Sequence, residues 1–157
     1  MRKDFGSKTY LYPMPVLIIG TYNEAGTANA MNAAWGGISD FDKIAIALSN
    51  HKTTDNLKQT KSFTVSVGTA SMVEACDYVG IVSGNKIPDK VSRAGLHAIK
   101  SKYVNAPIFK ELPLALECEV ISFDEKSEIL TGKIINVSAD EEILTDGNID
   151  VKKLRPI

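Results

Sequence analysis

The chain has 157 residues, the length of one ordinary domain, and 18 Lys+Arg against 19 Asp+Glu leave a net charge of −1. That balance speaks against general nucleic-acid binding, which needs many cations on one surface. With 44% hydrophobic and 24% charged residues, the composition is that of a soluble globular protein and not of a disordered one. Two cysteines, Cys76 and Cys118, are too few for a disulfide scaffold or a cysteine-rich zinc site. The aliphatic run Val16 to Ile19 is far too short to span a membrane, and Met1 to Gly6 has no apolar signal core behind its charges. A cytoplasmic location with no membrane partner is therefore expected. The sequon Asn136-Val137-Ser138 reads as chance, and no linker divides residues 1–157, which are expected to form a single domain.

Strands dominate the pattern. Val16 to Ile19 is apolar on both faces, as is Ile44 to Leu48, and between them Asn29 to Trp35 reads as a strand of small residues. A helix is predicted from Thr53 or Thr54 to about Ser62, with Leu57 as its core anchor, and Phe63 to Val67 then alternates cleanly. Ser71 and Glu74 have the spacing of a capping box, and Met72, Ala75, Cys76 and Val79 follow on one helical face. A third short helix is predicted over Asp89 to Ala94, opened by Pro88 and stopped by Gly95. Leu114 to Val120 has a period of two, with Glu117 and Glu119 turned away from the core. The polar turn Asp124 to Ser127 leads to Ile129 to Val137, so these two runs predict an antiparallel hairpin. Strands apolar on both faces fit a closed barrel wall with further elements packed outside it.

Three clusters could carry chemistry. Ser49, His51, Lys52, Thr53, Thr54 and Asn56 gather hydroxyls, an imidazole and an ammonium at the start of the predicted helix. There, free backbone N–H groups and the helix dipole favour a phosphate. Taken alone, the cluster is more simply read as helix capping by Thr and Asn, and Asp55 in the first turn suits an empty helix better. Asn32, Ala33, Ala34 and Trp35 would let backbone approach a flat ligand closely, although a lone Trp is more often core packing. Ser83, Gly84 and Lys90 lie in a loop whose plain reading is a solvated turn. Its glycine spacing departs from a phosphate-binding Walker loop, and no Gly-x-Gly-x-x-Gly occurs anywhere. His51 and His97 stand far apart and no Cys-x-x-Cys exists, so no metal site is expected. Cys118 reads as core, and Cys76, near the Gly80 to Lys90 loop, leaves room for a redox role.

Taken in order, the Asn29–Trp35 strand, the Ser49–Asn56 stretch, Phe63 to Val67, Gly80 with Ser83-Gly84, Asp89-Lys90, and Ala106-Pro107-Ile108 leading into Leu114–Val120 resemble the flavin reductase-like family, which includes flavoredoxin-type proteins. The resemblance runs from about Tyr12 to Pro156. It implies a mainly β fold, an antiparallel split β-barrel of Greek-key type with a few short peripheral helices, that binds FMN. Ser49, His51, Lys52, Thr53, Thr54 and Asn56 would then hold the phosphate, with Lys58 and Lys61 adding charge nearby. Asn32, Ala33, Ala34 and Trp35 would line the isoalloxazine and ribityl side, while Ser83, Gly84 and Lys90 close over the flavin. Relatives often have Arg where this chain has His51-Lys52, which keeps the charge without the bidentate fork. A homodimer is implied, with NADH, NADPH or a protein as electron donor and flavin, a ferric chelate or a protein as acceptor. An FMN-holding carrier without nicotinamide turnover, or a split barrel that binds haem or a deazaflavin, are the alternatives. No catalytic side chain is assigned.

Overall fold

A computed structural model describes all residues, 1–157. The chain runs β1 (Leu17–Tyr22), β2 (Ala28–Ala33), β3 (Gly36–Asp40), β4 (Lys43–Ala47), α1 (Lys52–Thr60), β5 (Ser62–Val67), α2 (Val73–Ile81) and α3 (Lys90–Arg93). It continues through β6 (Ala98–Lys100), β7 (Pro107–Phe109), β8 (Leu114–Asp124) and β9 (Ile129–Ala139), then ends with β10 (Leu144–Thr145), β11 (Asn148–Ile149) and α4 (Val151–Leu154). Seven strands make one antiparallel sheet in the order β2-β1-β5-β8-β9-β4-β3.

The two edges of that sheet, β2 and β3, are consecutive in the chain and joined only by Ala34 and Trp35. Laid flat, six spacings of about 4.8 Å would hold the edges about 29 Å apart. Three peptide links from Ala33 to Gly36 reach at most about 11 Å. The sheet must therefore curl, and bulges at Ile38/Asp40, Glu117/Cys118 and Val120/Ser122 provide the local bends. The result is the expected mainly β split barrel with a few short helices.

Alternation on β1 explains why Val16 to Ile19 is apolar throughout. Leu17 and Ile19 enter a barrel interior with Ile46, Phe63, Val65 and Leu130. Ile18 points the other way, into a second core with Ala75, Val79, Val91, Phe109 and Leu112 beneath α2, α3 and β7. The β8–β9 hairpin forms as read and extends to Asp124 and Ala139. No helix is long and apolar enough to cross a membrane.

Two local readings are corrected and one is sharpened. Ser71 does not cap a helix: it lies in a 3-10 turn, Ala70–Met72, with its hydroxyl 3.1 Å from that of Thr69, and α2 starts at Val73 without a side-chain cap. The first helix begins one to two residues early, at Lys52, and stops at Thr60 because Lys61 turns left-handed (φ 54°); Ser62 belongs to β5. Glu117 does not face solvent. It faces away from the barrel interior that Leu116, Cys118 and Val120 enter, as its alternation predicts, but that outer face is covered, and the buried Glu117 accepts hydrogen bonds from Ser101 Oγ and, at 2.7 Å, from Asn136 Nδ2.

Gly20 marks a tight crossing. The β6–β7 hairpin lies over β1 so closely that an added Cβ would stand 2.5 Å from Thr64 Oγ1 and 2.8 Å from the Pro107 carbonyl that accepts this hydroxyl. Gly20→Ala should therefore destabilise the fold by about 1–3 kcal/mol in chemical denaturation, since relief requires moving backbone. Gly37→Ala, where nothing lies within 4 Å, should leave the midpoint nearly unchanged.

Candidate functional site

Three segments distant in sequence meet beside β2. From β2 come Asn29, Met31 and Asn32; from the start of α1, His51, Lys52 and Thr53; from the end of α2 and its following loop, Val79 to Gly84, with Lys90 of α3 below. Together they line a cleft of about 250 Å³. Its charged and ionisable groups, His51, Lys52 and Lys90, are all basic, and no carboxylate lines it.

Small residues permit the convergence. A Cβ on Gly80 would stand 2.9 Å from Asn32 Cβ, and one on Gly84 would stand 2.4 Å from Asn29 Oδ1. The Asn29 amide donates to Thr53 Oγ1 at 2.9 Å, tying β2 to the first turn of α1. Asn32 Nδ2 reaches the Cys76 carbonyl on α2 at 3.4 Å. His51 is the extended N-cap of α1 (φ −139°, ψ 170°), and the helix's first-turn N–H groups open beyond it. Ser83 organises its own loop, its carbonyl accepting from the Lys86 and Ile87 amides at 3.0 and 2.9 Å.

Lys90 is not the solvated side chain of the plain reading. It is buried, and its Nζ donates to the Val79 carbonyl at 2.9 Å and the Val82 carbonyl at 2.7 Å, both at the C-terminal end of α2. Burial without a carboxylate partner pushes its pKa down to about 8.

Seven of the residues singled out in the sequence, Asn32, His51, Lys52, Thr53, Ser83, Gly84 and Lys90, thus share one cleft. The rest do not line it. Thr54 turns its hydroxyl back to the N-cap, accepting from the His51 amide at 3.0 Å and donating to the His51 carbonyl at 2.8 Å. Asn56 is fully buried and donates to Thr21 at 3.0 Å. Ser49 faces solvent and donates to Glu128 at 3.3 Å. Ala33 is packed in the barrel core. Ala34 and Trp35 line a separate depression of about 480 Å³ against the N-terminal segment Lys8–Pro15, and Trp35 is 59% exposed instead of filling the core.

Lys58 and Lys61 cannot join Lys52, because they lie at the opposite end of α1, about 9–14 Å along the helix axis. Lys58 is paired there with Glu125 at 2.6 Å. Burial pushes the Cys76 thiol up, and burial with the neighbouring Glu117 charge pushes Cys118 up to about 12. Both thiols are held protonated, which argues against a redox role for Cys76. Asn29 and Gly80 fall within the resembling stretches but receive no site role from the sequence, because an Asn or a Gly among small residues carries no signal until the fold sets a neighbour against it.

The model of the flavin reductase like domain matches residues 9–154. Among solved structures, the flavoredoxin of Desulfovibrio vulgaris (Miyazaki F) is 34% identical, with a TM-score of 0.94 over 99% of this chain and 86% of its own. The flavoredoxin from Methanosarcina acetivorans is 28% identical, with a TM-score of 0.87 over 99% of this chain and 84% of its own. An FMN-binding domain of a flavin reductases-like enzyme from Shewanella baltica OS155 shares the fold at 21% identity, with a TM-score of 0.81 over 90% and 76%.

The Asn29–Gly84 approach can be tested without any ligand. Gly84→Ala should destabilise the protein by about 1 kcal/mol by driving the Asn29 amide off Thr53. In an Asn29→Ala background the same change should cost at least 0.5 kcal/mol less (roughly, a contact-pair coupling) in a double-mutant denaturation cycle.

Proposed function

The chain belongs to the flavin reductase-like family, and from that membership we propose that it is an FMN-binding oxidoreductase whose cleft beside β2 receives the flavin's phosphate end. The observation that carries this reading is the convergence of three segments on a small cleft whose charges are all basic. At about 250 Å³ the cleft is smaller than the roughly 300 Å³ at which small-molecule pockets begin, so it suits the phosphate and part of the ribityl chain. The ring would continue along the same strand towards Ala34 and Trp35, about 10 Å beyond Asn32 at extended rise.

In this reading Lys52 supplies a point charge, Thr53 and the opening N–H groups of α1 supply donors, and His51 stands at the rim. Ser83 and Gly84 close the cleft from the α2 side, and Asn29 and Asn32 hold its floor. Thr54 and Asn56 act one step removed, by shaping the helix start. Bound FMN supplies the electron chemistry; the protein orients it and leaves one side open for a donor. That donor would be NADH, NADPH or a redox protein, and the acceptor a flavin, a ferric chelate or a protein.

A homodimer belongs to the same reading. Tyr10, Leu11, Tyr12 and Trp35 are all more than half exposed, an apolar surface that a second copy would cover. A second functional reading is an FMN-holding electron carrier without nicotinamide turnover, which the likeness to two flavoredoxins favours.

The purified protein should carry flavin absorption bands and release FMN on denaturation; a haem Soret band or no chromophore after FMN addition would overturn both readings. Anaerobic mixing with NADH and NADPH separates them, since only the enzyme bleaches rapidly. Lys52→Ala with Thr53→Ala should weaken FMN about tenfold or more while leaving riboflavin nearly unchanged. Equal weakening of the two would reduce the cluster to a helix start.

A further inference from the structure

Lys90 is 3% exposed and has no carboxylate partner. Asp89, on its own short helix, is engaged with Arg93 at 2.9 Å in the solvent. On α2, Glu74 and Asp77 are exposed and Tyr78 is half-buried. β2 brings only the neutral Asn29 and Asn32 to the cleft, α1 brings the basic His51 and Lys52, and Lys86 of the connecting loop faces water. Every charge that shares the cleft with this side chain has its own sign.

The hydrogen-bond count is equally specific. An ammonium carries three N–H donors, and Lys90 has two acceptors, the carbonyls of Val79 and Val82. A neutral amine carries two N–H donors and matches both. The proton can therefore leave without breaking either bond, and the third donor is the one available to a ligand in the cleft.

We propose that Lys90 is an interior counter-charge whose protonation is coupled to ligand entry: a phosphate monoester entering the cleft draws a proton from the buffer onto the Lys90 amine. This rests on the FMN reading for the identity of the ligand. Two pH dependences of opposite sign follow. Without ligand, the folded protein holds the Lys90 proton more weakly than the unfolded chain, because burial lowers the pKa from 10.5 to about 8. The cost of burying the ammonium is present below about pH 8 and fades as pH rises from there towards 10.5, so this group favours folding at high pH. Ligand binding runs the other way, because above about pH 8 the proton must be supplied for each phosphate bound.

The test is calorimetric titration of FMN into the full-length protein, freed of FMN, at pH 9 in two buffers of different ionisation enthalpy. About half a proton or more should be taken up per FMN, and FMN should bind about tenfold more weakly at pH 9 than at pH 7. Riboflavin, lacking the phosphate, should show neither effect. Lys90→Arg, permanently charged, should bind FMN with no proton uptake. If that variant does not fold, the wild-type contrast between FMN and riboflavin decides alone. FMN binding without proton uptake, uptake equal for riboflavin, or uptake unchanged in a folded Lys90→Arg protein would overturn the coupling and leave the FMN reading intact. Should FMN not bind at all, the FMN reading falls, and inorganic phosphate becomes the probe. Proton uptake on phosphate binding would then support the counter-charge, and its absence would overturn it.

Discussion

The fold depends on one covalent constraint: Ala34 and Trp35 alone join the two edges of a seven-stranded sheet. A two-residue connection cannot bridge a flat sheet of that width, so the sheet curls and β2 passes almost directly into β3. Curling encloses an interior filled by Leu17, Ile19, Phe63, Val65 and Leu130. It also leaves the convex side of β1 and β2 to be covered by α2, α3 and β7. The cleft lies where that second layer and the start of α1 both meet β2.

The same constraint explains why small residues dominate β2 and its extension. Where a strand leaves one partner and joins another, side chains from both sides crowd its path. Ala30 and Ala33 are buried against the two cores, and the helices press close enough that a Cβ on Gly80 or Gly84 would collide with Asn32 or Asn29 unless it shifted. Trp35, just past the bend, has no interior left to enter and stays largely in solvent.

What could be read from the sequence follows from this layering. β8 and β9 were legible because alternation and a polar turn are local signals, and β1 was legible as two-sided because both of its faces meet apolar layers. The burial of Glu117 was not, since its turn away from the barrel interior is a local signal but the Ser101 segment that covers that outer face is brought there only by the fold. Ser71 satisfied a capping pattern that the chain does not use, because it lies inside the 3-10 turn before α2 and its hydroxyl meets that of Thr69. In the site, the polar runs around Lys52, Ser83 and Lys90 were visible as runs, yet nothing local told Thr53, which faces the cleft, from Thr54, which closes on its own helix end. Asn56 carries the same chemistry as a ligand-binding Asn and is turned inward by the register of α1. Sorting neighbours within a cluster requires the helix phase, and Asn29 requires the tertiary contact itself.

The polarity of the two helices gives the cleft its last requirement. α1 presents its N-terminus there, with unpaired N–H groups and positive potential, which favours an anion. α2 presents its C-terminal end, whose free carbonyls would repel the same anion at close range. Lys90 stands where that conflict arises: its amine donates to the Val79 and Val82 carbonyls. A surface lysine could screen those carbonyls only through water, whereas one buried beneath α2 does so directly, at the cost of a depressed pKa. An α2 end left uncapped would set one helix dipole against the other across the same small volume. In the proposed reading, a chain with a net charge of only −1 offers a directional site for an anion because one buried amine keeps the second helix from opposing the first.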